Sequence, residues 1–380
     1  MIYVHIPFCR SFCTYCDFYS EVAAKCRRTA DSVAQERLFN SFSKALNHEV
    51  SCRKDEFSSD VNTLYIGGGT PSVLPLSVYA SFLAALKEVG VKCGFDEFTF
   101  EVNPEDIVEK GCTYVEGLME LGVNRVSMGV QSFDDDVLRW MNRRHDSATA
   151  VKAYSILEDA GLDNISIDLI FGMPQVNDDR WSETLDRALS ISSKGRLPRH
   201  ISSYQLSVEP GSALAVLVEQ GKWTEAEDDC CARQYEMLCG RLAAAGYDHY
   251  EISNFAQPGY KAVHNSAYWS HAPYVGLGPG AHSFKAEIRQ WNRPDLNAYI
   301  SDPLSVQEKE VLNQDQLVLE KIMLGLRTSD GVPELFLRQH CGPSLDVALN
   351  NSDLIPVPSG NLRIPEDRFF ISDNIISEII

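Results

Sequence analysis

Three cysteines carry the first chemistry legible in the chain. Cys9, Cys13 and Cys16 stand together in Cys9-Arg10-Ser11-Phe12-Cys13-Thr14-Tyr15-Cys16, directly after a short apolar run. A loop this tight can wrap one metal centre. Three thiolates on a four-iron cube leave one iron without a protein ligand, and an open coordination position is what separates a catalytic metal from a structural one. Tetrahedral zinc, the alternative, asks for four ligands, commonly two paired Cys or His clusters. No second pair with suitable spacing follows. Cys230 and Cys231 are adjacent in an expected helix, while Cys26, Cys52, Cys93, Cys112, Cys239 and Cys341 stand alone. These read as small buried hydrophobes or inert thiols.

Other polar residues sit where a purely structural core would not need them. Gly67-Gly68-Gly69-Thr70-Pro71 follows an apolar run, and glycines there let a ligand approach the backbone; alone, the segment is a turn. Glu101 and Gln131 each end such a run, a position that equally suits a helix cap. Asp168 lies inside Ile165–Ile170, where an unpaired carboxylate is costly and must face a partner or a ligand. Arg143 adds a cation.

The elements that position these residues alternate. Apolar, β-branched runs at Ile2–Pro7, Asn62–Ile66, Glu97–Glu101, Arg125–Val130, Ile165–Ile170 and Ile201–Leu206 read as strands. Helical periods near Val33–Val50, Leu76–Val89, Cys112–Leu121, Ala148–Ala160 and Trp181–Ile191 lie between them, each long enough for a right-handed crossover. The alternation predicts an α/β fold with a parallel sheet, either a partial (β/α)6 barrel or a doubly wound sheet. Both build their sites at the carboxyl ends of the strands, where Cys9, Gly69, Glu101, Gln131, Asp168 and Gln205 fall.

Three segments are expected: residues 1–208 as the strand–helix body, 209–304 as its extension, and 305–380 as a small helical or winged-helix-like domain. A helix is predicted over Glu225–Ala245 and a last long one over Asn313–Arg327. Gly276-Leu277-Gly278-Pro279-Gly280 lacks a convincing strand–helix unit around it and reads as a turn, not a dinucleotide site.

Composition narrows the function classes. Hydrophobic residues make up 44% and charged ones 23% of the 380 residues, enough for a full core. A formal charge of -19 repels phosphate backbones, so no nucleic-acid partner is expected. No basic, apolar leader opens the chain and no apolar run is long enough to span a bilayer. Eleven cysteines without an export signal fit reduced thiols and metal ligands, and predict a cytoplasmic protein.

The spacing of the triplet, with Tyr15 before its last cysteine, resembles the radical S-adenosylmethionine (SAM) superfamily. That resemblance implies a [4Fe-4S] cluster on Cys9, Cys13 and Cys16 with SAM on the fourth iron. It also implies that Gly69, Thr70 and Pro71 meet the SAM amino group. Arg143, Glu101, Asp168, Gln131 and Tyr15 supply the cation, acceptors and aromatic wall that SAM's carboxylate, ammonium, ribose and adenine require.

Tyr3-Val4-His5-Ile6-Pro7-Phe8-Cys9, Gly67–Pro71, Glu101-Val102-Asn103-Pro104, Gly129–Phe133 and Asp168–Pro174 together resemble the oxygen-independent coproporphyrinogen III oxidase family over nearly the whole chain. The resemblance implies the (β/α)6 barrel and the C-terminal domain, and brings Tyr3 into the cofactor-binding set. Two departures count against the decarboxylating oxidases themselves: only Met1 and Ile2 precede Tyr3, and position 18 is Phe where the oxidases carry a fourth cysteine. His264-Asn265-Ser266-Ala267-Tyr268-Trp269 instead resembles the HNxxYW element of the family's haem-chaperone branch. That branch is implied to bind haem and pass it to apo-haemoproteins. Asn265 can orient the imidazole, and Tyr268 and Trp269 offer flat faces to a porphyrin.

Three functions stand at this point: a haem-binding chaperone, a SAM-dependent porphyrinogen decarboxylase, and a zinc or iron–sulfur protein without turnover. The expected partners are haem, apo-haemoprotein acceptors and an electron donor to the cluster. Membrane association is left open.

Overall fold

The computed structural model describes residues 1–22, 29–58 and 61–380; Cys26 lies outside them. Six strands run in parallel: β1 (Ile2–Ile6), β2 (Thr63–Gly68), β3 (Glu97–Val102), β4 (Arg125–Gln131), β5 (Ile165–Phe171) and β6 (His200–Gln205). Neighbours in sequence are neighbours in the sheet, from β1 through β6. Their apolar runs are nearly continuous because helices cover the outer face while the inner face lines the barrel.

Five helices make the crossovers: α1 (Thr29–Cys52), α2 (Leu76–Glu88), α3 (Pro104–Glu120), α4 (Ser147–Asp159) and α5 (Asp178–Leu189). The expected helix at Cys112–Leu121 is only the second half of α3. Gly111, at φ 71°, breaks the element, and a first half begins at Pro104 on an Asn103 cap.

The sheet is open and extends beyond six strands at both edges. On one edge β9 (Val275–Leu277) pairs parallel to β1; on the other β8 (Asn254–Ala256) pairs antiparallel to β6, followed by β7 (Asp248–Glu251). Three strands between residues 248 and 277 thus extend the first sheet. The segment Gly276–Gly280, expected to be a turn, begins in this edge strand. Glycine is required because a Cβ on Gly276 would lie 1.9 Å from the His282 carbonyl oxygen and one on Gly278 2.4 Å from that of His5.

The edge is fastened to α1 by a buried ion pair. Arg53 donates to Glu49 at 2.8 Å and to the Gly276 carbonyl at 2.7 Å, while Glu49 accepts from Gly278 N–H and the Tyr299 hydroxyl.

β10 (His282–Lys285), β11 (Ile288–Asn292) and β12 (Gln307–Val311) form a separate antiparallel sheet. Among the other helices are α6 (Asp228–Ala244), α7 (Val263–Trp269) and α8 (Gln314–Leu326). Asn313 and Gln316 form the capping box that starts α8. A three-stranded antiparallel sheet of Val332–Pro333, Asn361–Arg363 and Ile355–Pro356, with short helices around it, completes the winged-helix-like C-terminal part. Among the described residues no helix is long and apolar enough to cross a membrane.

Candidate functional site

Phe8 anchors the start of the cysteine loop. Its ring is fully buried, 5.1 Å from Phe39 and 5.3 Å from Phe42 of α1. Burial of such a side chain contributes about 1.5–3 kcal/mol and fixes where Cys9 emerges. The loop then docks on the segment after β4. Thr14 donates its N–H to the Met141 carbonyl at 3.1 Å and its hydroxyl to the Trp140 carbonyl at 2.9 Å, and Asn142 donates to the Phe12 carbonyl at 2.6 Å.

Cys9, Cys13 and Cys16 all line one cavity of about 430 Å³ at the carboxyl ends of the strands. Thr70 Oγ1 donates to Cys9 Sγ at 3.5 Å and Arg143 Nη1 to Cys13 Sγ at 3.4 Å. Burial raises the Cys9 thiol and pushes that of Cys16 up to about 12. Among the described residues no three His, Cys, Asp or Glu side chains converge as the ligands of a single ion do. A four-iron cluster holds each thiolate on a different iron, so its ligands stand apart.

The glycine segment presses against the loop. Gly69 N–H donates to the Ile6 carbonyl at 2.8 Å, and a Cβ at Gly69 would come within 2.7 Å of the Phe8 carbonyl oxygen and 3.1 Å of Cys9 Sγ. Thr70 and Pro71 line the same cavity.

Arg143 is the most deeply bonded of the arginines on the cavity wall, which Arg10 and Arg144 also line. Its Nη2 donates to Asn103 Oδ1 at 2.7 Å and to the Gly129 carbonyl at 2.8 Å, and Asn103 Nδ2 donates onward to Thr70 Oγ1 at 3.1 Å. Among the described residues, Arg143 Nε is buried without a hydrogen-bond partner. An orphaned guanidinium donor on a cavity wall fits the carboxylate of SAM.

Glu101 ends β3, accepting from the Tyr65 hydroxyl at 2.6 Å and from Gly68 N–H at 3.1 Å. Burial, with the charge of Asp168 behind it, lifts its carboxyl to about 7 despite those two bonds. Asp168 accepts from Ser127 Oγ at 3.0 Å, and burial raises it as well. Gln131 stands at φ 67°, past an irregularity in the β4–β5 pairing, which turns it into the cavity; left-handed backbone in a non-glycine residue is strained and marks functional places. Tyr15 lines the same wall.

All of the expected cluster and SAM residues except Tyr3 therefore share this cavity. Tyr3 lines a second one, of about 470 Å³, with His5, Tyr65, Tyr268, Tyr274 and His282 among its walls. The two cavities adjoin, since Tyr65, Glu101 and Asn265 line both.

The HNxxYW residues divide. Asn265 and Tyr268 face the second cavity; His264 and Trp269 line neither. His264 is fully buried near the starts of β2 and β3. Its ring bonds Thr63 Oγ1 and the Tyr268 hydroxyl, both at 2.9 Å, and its backbone N–H donates to Glu97 Oε1 at 3.0 Å. Burial lowers its pKa to about 3, with the N-terminal charge and Arg125 acting in the same direction.

Sequence reasoning missed Asn103, which was visible in its motif but unassigned, and Ser127 and Tyr204, whose inward placement only the register reveals. Among the other cysteines, Cys231 and Cys341 are buried as expected while Cys52 is exposed.

Comparison with known proteins decides the family. The chain is 33% identical over 336 residues to the haem chaperone HemW of Mycobacterium tuberculosis, covering 87% of this chain and 82% of that protein. It is likewise 33% identical over 356 residues to HemW of Bacillus subtilis, covering 90% and 87%. The chain belongs to the HemW-like radical SAM family. The Radical SAM superfamily model matches residues 3–188 of this family member, the span that holds the cysteine loop and five of the six parallel strands. Its fold is that of the Escherichia coli coproporphyrinogen III oxidase HemN, a radical SAM enzyme. The TM-score is 0.79 at 20% identity, with 100% of this chain and 89% of that one covered. The HemW-like assignment thereby settles the barrel over the doubly wound sheet.

Proposed function

We propose that this chain is a haem chaperone: it binds a [4Fe-4S] cluster through Cys9, Cys13 and Cys16, binds SAM beside it, and delivers haem to apo-haemoproteins. The observation that carries the reading is the pair of adjoining cavities, one walled by three thiols and Arg143, the other by tyrosines and histidines. The names of the HemW relatives support the haem part.

In the first cavity Arg143 Nε is free to donate to the SAM carboxylate, Gly69 to Pro71 offer backbone to its ammonium, and Glu101, Gln131 and Asp168 offer acceptors to its remaining donors. The cluster and SAM supply one-electron chemistry when bound, for which an electron donor is the required partner. In the second cavity Asn265 and Tyr268 contact haem directly, while His264 holds the Tyr268 hydroxyl in place.

The test is anaerobic reconstitution with haem, SAM and coproporphyrinogen III. Haem should bind and pass to an apo-haemoprotein, and protoporphyrinogen IX should not form, because Phe18 occupies the place of the oxidases' fourth cysteine. Multiple turnovers to protoporphyrinogen IX, or no haem bound, would overturn the reading.

A further inference from the structure

Two histidines face the aromatic cavity beside the cluster site, and their rings differ in what they have left to offer. His5 has both nitrogens engaged, with the Tyr3 hydroxyl at 3.1 Å and the Tyr19 carbonyl at 2.8 Å. His282 has neither: among the described residues no hydrogen bond reaches its imidazole, which stacks on Trp291 at 6.1 Å between centroids and 24° between planes. His264 is committed on both nitrogens and lies outside the cavity. His282 thus holds the one uncommitted imidazole lone pair on this wall.

The surroundings of His282 fit one class of ligand. The cavity, about 470 Å³, lies within the roughly 300–1,000 Å³ of small-molecule sites. Tyr3, Tyr65, Tyr268 and Tyr274 give it flat apolar faces. Flat aromatic walls with one free imidazole at the rim suit a metalloporphyrin, whose plane stacks while its metal takes the nitrogen. The backbone bearing the ring is held firmly, because His282 pairs with Trp291 across β10 and β11 and packs against Gly276 too closely to admit a Cβ there.

We infer that His282 is the axial ligand of haem bound in this second cavity, an assignment that rests on the haem reading above. Its iron accepts the lone pair of the neutral ring; no bond in either partner breaks.

The experiment is a haem titration of the full chain as wild type, His282→Ala and His264→Ala, followed by the Soret band and the electron paramagnetic resonance of ferric haem. Circular dichroism checks that each variant is folded. His282 is exposed, so His282→Ala should fold normally. It should lose the imidazole-ligated spectrum and bind haem more weakly by about tenfold or more, as even outer-shell losses cost metal sites roughly 10–100-fold. Added imidazole should restore the spectrum. His264→Ala should keep imidazole ligation. An unchanged spectrum in His282→Ala, with ligation lost in His264→Ala instead, overturns the assignment and leaves the haem reading standing. No haem bound by wild type brings down that reading, and the assignment with it.

Discussion

The Tyr65 hydroxyl donates to Glu101 Oε1 at 2.6 Å, and this bonded pair lies on the wall that the two cavities share. The cysteine-lined cavity and the aromatic one therefore share one carboxyl on their walls. Its protonation state is a property of both sites.

Burial lifts Glu101 to about 7 from an ordinary 4.5, so ionisation is harder in the folded chain than in the unfolded one. Below pH 4.5 both states hold the proton and nothing is lost. As pH rises from 4.5 to 7 the unfolded state releases it first, and the cofactor-free protein loses stability on the order of 3 kcal/mol. In Glu101→Gln that contribution should vanish. Urea denaturation of both proteins across this range checks it; identical pH dependence would mean that Glu101 titrates normally.

Anaerobically reconstituted protein should contain about four irons per chain, since three thiolates hold one cube. Cys13→Ala should lose them. Cys52→Ala, at an exposed position far from the loop in sequence, should keep them. Iron analysis and Mössbauer spectra decide, and an intact cluster in Cys13→Ala would remove that residue from the ligand set.

Arg143 has one donor on Cys13, another shared between Asn103 and Gly129, and Nε unpaired. Arg143→Ala should weaken SAM binding to the cluster-loaded protein by about tenfold or more, the equivalent of one charge-assisted hydrogen bond. Arg143→Lys should not restore it, because an ammonium cannot reproduce the guanidinium fork. Calorimetry reads the affinities; full binding by either variant would take Arg143 out of the SAM site.

The six parallel strands were legible because each is an apolar run with no competing pattern, and the polar residues at their ends marked the edge that carries the first cavity. The first half of α3 was not, because Pro104 and three nearby acidic residues, Glu105, Asp106 and Glu109, hide its period and Gly111 interrupts it. β9 was hidden for a similar reason: Gly276 and Gly278 look like a turn until the close approach of His282 and His5 is known. His282 itself carried no signal, since nothing local distinguishes an uncommitted imidazole from a surface one. The buried setting of His264 rests on Thr63, a partner 201 residues away, and no local pattern encodes that contact.

His264 is fully buried with both ring nitrogens bonded, so its removal should be felt first in stability. His264→Ala leaves Thr63 Oγ1 and the Tyr268 hydroxyl without their partner and opens a small void, at a cost of about 2–4 kcal/mol. The pH dependence gives a signature that packing alone would not. Burial holds the ring neutral down to about 3 in the folded chain, against 6.5 when unfolded. Above 6.5 both states are neutral and the contribution is fully present. As pH falls from 6.5 toward 3 the unfolded state takes the proton and the wild type loses stability, opposite in direction to the effect of Glu101. Subtracting the denaturation curve of His264→Ala from that of wild type should isolate this slope, with Glu101 common to both. The same variant should keep the Tyr268 ring near the cavity but free its hydroxyl, so haem binding should weaken less than in His282→Ala. A variant as stable as wild type at every pH, yet stripped of haem, would mean that the His264 ring faces the porphyrin in solution and is not the buried support of Tyr268.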